Sequence, residues 1–445
     1  MNLVIDGGVV VDAERVIWDG AVVVEDNRII FVGDAGEAKR RFSSAGYDRV
    51  DARGKIIAPG LVNAHTHIAM TLLRGYADDL ALQEWLEKWI WPFESRMSPR
   101  DIELGALLGS IESLLGGVTT VCSMYHYDPE YNEASAAARA GLRIVMGVAM
   151  FYWDEEGSVS RVRDALSRWH ARDDLVRVSI SPHAPYTVSP DMWRVAEELR
   201  REWSARSGVP VTITSHLVED WDEPRLVRER FGVDIPDGSI YKYLDGLGVL
   251  SRYFVAAHSI HMNDVDFEVA SERGVNIVHN PVANLKLGMG IADVPRMLRS
   301  GINVGLGTDG PASNNTLDMF ETMKVTALLH KGSYRDPSLL PAKKVFEMAT
   351  VDGARALGYN DLGLLREGYL ADIVVIDYRK PASMPLFNIY SHLVYVFRPS
   401  NIDMVIVNGE VLVEDGKYSK MDVDELIDRA SRRAHELAGE VSGGA

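Results

Sequence analysis

The segment "NAHTH" (63–67) places two histidines two residues apart at the end of the apolar run "KIIAPGLV". At that spacing on a strand, side chains point to one face, so the His65 and His67 rings project together from Lys55–Asn63. An isolated His-x-His is more often an ordinary hydrogen-bonded pair, and a divalent metal needs further His or carboxylate ligands from elsewhere. The chain offers them at the ends of other strand-like runs: His183 in "SISPH", His216 in "TITSH", His258 in "VAAH", His279 in "NIVH" and Asp309 in "GLGTD". His65, His67, His216 and Asp309 would cage one divalent ion and leave a position for water, whose pKa such an ion lowers towards neutrality. A metal-dependent hydrolase is therefore expected, with Zn²⁺ favoured and Fe²⁺ or Mn²⁺ compatible with the same donors. No lysine ends the run "SISPHAP", so a single ion is expected rather than a pair bridged by a carbamylated lysine.

Glu219 follows His216 by three residues in "SHLVED". It could reach back over the same pocket as a general acid/base, or begin an acidic surface run with Asp220, Asp222 and Glu223; spacing leaves both readings open. His258 ends its run and would hold or receive the proton of the hydrolytic water. His261 lies further on in the loop and reads as structural, as do His126, His170, His330, His392 and His435. His279 stands on the same rim, where fixing the turn with Asn280 is its expected role.

These residues need elements that converge. Apolar runs at 117–124, 141–150, 176–183, 209–216, 253–259, 274–281 and 301–309 alternate with helix-like stretches such as "PRDIELGALLGSIESLLGG", which carries Pro99 near its start and glycines at its end. Together with "KIIAPGLVNAH" they predict an α/β fold, a (β/α)8 TIM-type barrel whose reaction face lies at the C-terminal strand ends. A doubly wound open sheet is disfavoured because nothing like G-x-G-x-x-G follows the first strand.

Both chain ends alternate apolar and polar residues instead. "LVIDGGVVVD", "GAVVVED" and "RIIFVGD" are separated by turn signals at Asp19-Gly20 and Asp26-Asn27, and Asn408-Gly409 joins two later runs as a tight hairpin. Pieces this small bury a core best by pairing with each other. The expected domains are a small β-sandwich from 1–57 and 366–420, the barrel over 58–365, and a C-terminal helix over 421–445.

Composition limits the alternatives. The 445 residues, 47% hydrophobic and 25% charged, have the balance of an ordinary globular protein. A net charge of −17 disfavours nucleic acid and anionic membrane as partners. The single cysteine excludes an internal disulfide and a thiolate cluster. With no long apolar span and no secretory signal in "MNLVIDGG", a cytoplasmic location is expected.

The chain resembles the amidohydrolase superfamily, and within it the methylthioadenosine/S-adenosylhomocysteine deaminases. The resemblance runs through "PGLVNAHTH", "SPHAPYTVSP", "SHLVED", "AAHSIHM", "HNPVANLKLGMGIADV", "GLGTDGPASNNTLDMFETMK" and "GYLADIVVID" in order. It implies a metal on His65, His67, His216 and Asp309, Glu219 as proton shuttle to adenine N1, and His258 beside the hydrolytic water. It also implies substrate contacts from Glu94, His183 and Ser313, with Glu94 suited to a ribose diol, and a homo-oligomer by analogy.

Relatives that grip an amino-acid tail carry two arginines where Met146 and Ser158 stand here, with Arg161 and Arg163 as candidate substitutes. The expected substrate is a small-molecule nucleoside with a small or apolar 5′ group, such as 5′-deoxyadenosine, 5′-methylthioadenosine or adenosine rather than S-adenosylhomocysteine, with Met146 against that group. Trp85, Trp89, Trp91 and Phe93 either cap an apolar ligand or pack on the barrel. The alternative activity is hydrolysis of another aminated or chlorinated heterocycle, such as guanine, cytosine or a triazine. A non-catalytic barrel is disfavoured because every ligand and acid/base position is filled.

Overall fold

The computed structural model describes residues 2–43 and 46–442. Its strands are β1 (Asn2–Val11), β2 (Val16–Glu25), β3 (Arg28–Asp34), β4 (Asp48–Asp51), β5 (Lys55–Pro59), β6 (Leu61–Thr66), β7 (Val118–Tyr125), β8 (Arg143–Met150), β9 (Val176–Pro182), β10 (Ile213–Leu217), β11 (Phe254–His258), β12 (Asn276–His279), β13 (Asn303–Leu306), β14 (Ile373–Asp377), β15 (Ile402–Val407), β16 (Glu410–Glu414) and β17 (Lys417–Tyr418). They form two sheets.

The first sheet joins both chain ends in the order β17-β16-β15-β14-β5-β1-β2-β3, with β4 beside β1. The halves meet where β5 pairs antiparallel with β14, Ile57 opposite Val375. Period-two alternation gives this sheet two apolar faces. Ile57, Ile373, Val375 and Ile406 pack with Leu3, Ile5 and Val22 in a core of their own, whereas Ile56, Ala58, Val374 and Val405 face the packing around the barrel. The Asn408-Gly409 hairpin forms as expected, with φ of 52° and 79° at its two residues. Asp19-Gly20 is not a turn. Asp19, with φ of 50°, sits inside β2 where the register against β1 slips. An Asp-Gly pair supplies the positive φ that a bulge needs as readily as the one a turn needs. The turn lies earlier, where Asp12 Oδ1 accepts from the Glu14 and Arg15 amides.

The second sheet is eight parallel strands in chain order, β6 to β13. The apolar run that ends in "NAHTH" is therefore two strands in two sheets rather than one from Lys55. The chain crosses at Gly60, whose amide donates to Asp372 O at 3.0 Å. A Cβ on Gly60 would lie 2.1 Å from Thr119 Oγ1, so a side chain does not fit the crossing. Val62, Ala64, Cys122, Val145, Val255 and Val278, from strands on opposite sides of the ring, pack together with Leu357 and Tyr359 and fill it. The seam between β13 and β6 is closed by side chains and backbone. Asn63 Nδ2 donates to Thr308 Oγ1 (2.7 Å), Thr308 N donates to Asn63 Oδ1 (3.0 Å), and Asp309 N donates to His65 O (3.0 Å).

The helix read from Pro99 spans Pro99–Leu115, opened by a Ser98/Asp101 capping box. A terminal helix, Val423–Ser442, docks on it through Arg433, whose guanidinium donates to Asp101 Oδ1 (2.8 Å) and Oδ2 (3.1 Å). Residues 443–445, included in the expected terminal helix, lie outside the described residues. Among the described residues no helix is long and apolar enough to cross a membrane.

Candidate active site

The C-terminal ends of β6, β10, β11 and β13 bring His65, His67, His216, His258 and Asp309 together. His67 Nε2 lies 3.1 Å from Asp309 Oδ1 and 3.4 Å from His216 Nε2, and His65 Nε2 lies 3.5 Å from Asp309 Oδ1. Two rings are fixed from behind: His67 Nδ1 donates to Met124 O (2.6 Å) and His216 Nδ1 to His183 O (2.7 Å). With Nδ1 holding the proton, each Nε2 lone pair faces inward, the arrangement metal-bound histidines adopt. His65 Nε2 is buried with no hydrogen-bond partner. Three inward imidazoles, one of them orphaned, beside a carboxylate fit a single divalent cation. Asp309 also draws positive charge onto the cluster. Burial opposes charge on Asp309, yet the His65 and His67 rings hold its carboxyl well below the usual range. Burial drives His65 down to about 4, and although burial also opposes charge on His67, Asp309 holds that ring up at about 9.

His258 belongs to the same cluster, since His65, His216, His258 and Asp309 each offer a ligand atom within 4.8 Å of the others. Its backbone is left-handed, with φ of 70°, as is that of Asp309 at 61°. Non-glycine residues hold such conformations at a cost, often where function needs them. His258 Nδ1 lies 2.8 Å from Asn284 Oδ1 and 3.6 Å from Glu219 Oε1. Glu219 turns into the cavity rather than out to the surface, and burial raises its carboxyl above the usual range. The preceding residue, Val218, also has positive φ (49°), and the Val218 amide donates to buried Glu223 Oε1 at 3.0 Å.

One cavity of about 390 Å³ is lined by His67, His216, Glu219, His258 and Asp309 and extends to Glu94, His183 and Ser313. Ser313 Oγ donates to Asp309 Oδ2 at 2.6 Å. The His183 ring, driven down to about 3 by burial, is anchored by its Nδ1 on Thr187 Oγ1 at 3.0 Å. Glu94, at the end of the short helix Trp91–Glu94, raises the buried Tyr125 hydroxyl, which burial has already moved in the same direction. The far wall is aromatic: Phe151 stacks on Trp153 with ring centres 4.5 Å apart, and Trp91 meets Trp153 edge-on at 6.4 Å.

Residues 56–412 match the family model described as the amidohydrolase family. The chain belongs to the amidohydrolase family. The 5-methylthioadenosine/S-adenosylhomocysteine deaminase of Dictyoglomus thermophilum is 40% identical over 391 residues, 87% of this chain and 89% of that one. The 5′-deoxyadenosine deaminase of Methanosarcina mazei is 40% identical over 398 residues, 88% of this chain and 89% of that one. Among solved structures, an adenosine deaminase from Xanthomonas campestris with bound zinc superposes with a TM-score of 0.90 at 30% identity, covering 99% of both chains.

One expected contact of this amidohydrolase fails. Met146 does not line the cavity; it is buried in mid-β8, packed with the outer apolar layer that holds Ile144 and Val148. Alternation along the strand turns it away from the interior that Val145 faces. Ser158 is likewise buried outside the cavity, accepting from Phe151 N at 3.2 Å. Arg161 pairs with Asp154 at 2.8 Å and Arg163 faces Glu202 at 3.8 Å, so neither enters the site. No lysine or arginine lines the cavity among the described residues.

The aromatic cluster after β6 divides. Trp85 and Trp91 line the cavity, whereas Phe93 packs on Tyr76 with ring centres 4.8 Å apart and Trp89 meets Tyr76 at 6.0 Å. His126, read as structural, also lines the cavity, and Phe151 and Trp153 were missed as candidates. They follow the end of β8 directly in "FYWD", so the rule that selected the histidines at strand ends also points to them.

Proposed function

We propose that this amidohydrolase removes the 6-amino group of adenosine-type nucleosides with a small or apolar 5′ substituent, releasing ammonia and the inosine analogue. The observation that carries this reading is the single cavity that joins the His/Asp group to Glu94 and to an aromatic wall without lysine or arginine. The names of the relatives support it: methylthioadenosine/S-adenosylhomocysteine deaminase, 5′-deoxyadenosine deaminase and adenosine deaminase.

His65, His67, His216 and Asp309 would hold a divalent ion, zinc by preference, which would supply a Lewis acid to activate water at neutral pH. The side chains handle the protons and the substrate. Asp309 and His258 accept the proton that water loses as its oxygen attacks C6. Glu219, whose carboxyl burial raises above the usual range, protonates N1 and then assists the amino group as it leaves as ammonia. Ser313 fixes one Asp309 oxygen, leaving the other towards His65 and His67. His183 has Nδ1 engaged by Thr187 and so presents Nε2 to the ligand. Glu94 accepts from the two ribose hydroxyls. Phe151, Trp153 and Trp91 suit a methyl or thioether 5′ end, and among the described residues no lysine or arginine lines the cavity to repay the desolvation of a carboxylate there.

The test is ammonia release from 5′-deoxyadenosine, methylthioadenosine, adenosine, S-adenosylhomocysteine, guanine and cytosine by metal-loaded protein. Turnover of the first three well above S-adenosylhomocysteine is expected. Preference for S-adenosylhomocysteine would refute the 5′ assignment, and turnover of a free base with silence on every adenosine would refute the nucleoside.

A further inference from the structure

Asn284 lies in the short helix Pro281–Lys286 and is fully enclosed, and its side chain makes one hydrogen bond, Oδ1 to His258 Nδ1 at 2.8 Å. Its Nδ2 is buried with no partner. The side chain does not cap the helix either, since Pro281–Lys286 has no side-chain cap hydrogen bond. A buried amide with an unpaired NH₂ is costly, and a leucine would fill this space without that cost. The acceptor oxygen is what the position supplies.

We infer that Asn284 is a positioning residue that fixes the tautomer of His258. The oxygen accepts the Nδ1 proton, so Nε2 is left as an unprotonated acceptor on a ring whose centre is 5.5 Å from those of His65 and His216. A second acceptor agrees with this assignment, because Glu219 Oε1 also lies on the Nδ1 side at 3.6 Å. A flipped Asn284 would aim its NH₂ at Nδ1 and put the ring proton on Nε2, where it would block acceptance of a proton from water. An amide has no ionisable state. Asn284 therefore holds the tautomer whichever proton Glu219 carries during turnover, and it does so against the left-handed backbone of His258 and of Ser259 at 50°. The inference rests on the reading of His258 as a proton acceptor in the reaction.

The experiment compares Asn284→Ala, Asn284→Asp and His258→Ala in metal-loaded protein. Asn284→Ala is expected to lower kcat by about 10–100-fold with the metal retained, leaving KM for methylthioadenosine within about twofold. Asn284→Asp keeps an acceptor in place and is expected to restore kcat to within about threefold of the parent. Two-bond ¹⁵N–¹H spectra of histidine-labelled protein are expected to give the Nδ1–H pattern for His258 in the parent and a mixture in Asn284→Ala. An Nε2–H pattern in the parent, or parental kcat in Asn284→Ala, overturns the inference. Should Asn284→Ala not fold, Asn284→Asp decides: near-parental kcat supports the role, and lost kcat with metal retained overturns it. Full turnover by His258→Ala would instead remove His258 from the reaction, and the spectra would still report whether Asn284 sets its ring.

Discussion

Arg143 and His65 are both buried, at opposite ends of the same barrel: Arg143 begins β8, and His65 stands near the end of the parallel strand β6. At the Arg143 end every charge is answered. Its guanidinium donates to Asp372 Oδ2 (2.9 Å) and Oδ1 (2.8 Å), to Asn408 Oδ1 (3.3 Å) and to Asp174 O. Asp372 in turn accepts from the Asn408 amide at 2.9 Å. This end ties the barrel to the small sheet. At the His65 end, three imidazoles turn their Nε2 atoms towards one another and a carboxylate, one nitrogen has no partner, and Asp309 and the neighbouring His258 hold left-handed backbone. Equal burial thus serves two purposes. Polar groups that complete one another hold a fold, and polar groups left unpaired and strained are kept for a ligand.

The largest expected effect would come from the functional end. Glu219→Gln keeps the shape and removes the proton that Glu219 is proposed to shuttle, so kcat should fall by about 10²–10⁴-fold, or roughly 3–5 kcal/mol of barrier. Metal content and the urea midpoint should stay at parental values, and near-normal turnover would take Glu219 out of the mechanism. Next comes Arg143→Met, which strands the buried Asp372 carboxylate. Urea unfolding should register a loss of about 3–5 kcal/mol, with kcat per folded molecule unchanged. If Arg143→Met lost turnover instead of stability, the division of labour between the two ends would collapse.

The two ends were not equally legible in the sequence. Each strand end carries its own local mark, an apolar run closing on His or Asp, and reading those marks around a barrel assembles His65, His67, His216, His258 and Asp309 without a structure. Arg143 and Asp372 are 229 residues apart, and neither residue's neighbours hint at the other. The crossing at Gly60 was hidden because an apolar run looks the same whether it feeds one sheet or two. Met146 went wrong because position in a strand does not fix which face a residue takes until the register is known. Asn284 stands in the segment "HNPVANLKLGMGIADV" that carries the resemblance, but its role was not readable there, since it depends on the direction in which a short helix presents it to a neighbouring strand.

Metal loading should sharpen the contrast. The cation binds the folded state, so at a free concentration of about 100 times its Kd it should add about 2.7 kcal/mol to unfolding free energy. His216→Ala should lose most of that increment, and an undiminished increment would place the metal elsewhere.

The smallest expected effect is the coupling between the two ends. Residues without shared partners and well separated combine additively to within about 0.3–0.5 kcal/mol. Arg143→Met should therefore gain the same metal increment as the parent, however much less stable it is. A coupling above about 1 kcal/mol would exceed that limit and would mean that the seam helps set the positions of the metal-holding side chains. The strands themselves offer such a route, because β8 carries Arg143 at one end and pairs in register with β7, whose Met124 carbonyl anchors His67. An additive result would leave that route silent and assign the geometry of the rim to its own local contacts: the Asn63/Thr308 seam, the Met124 and His183 carbonyls, and Asn284 behind His258.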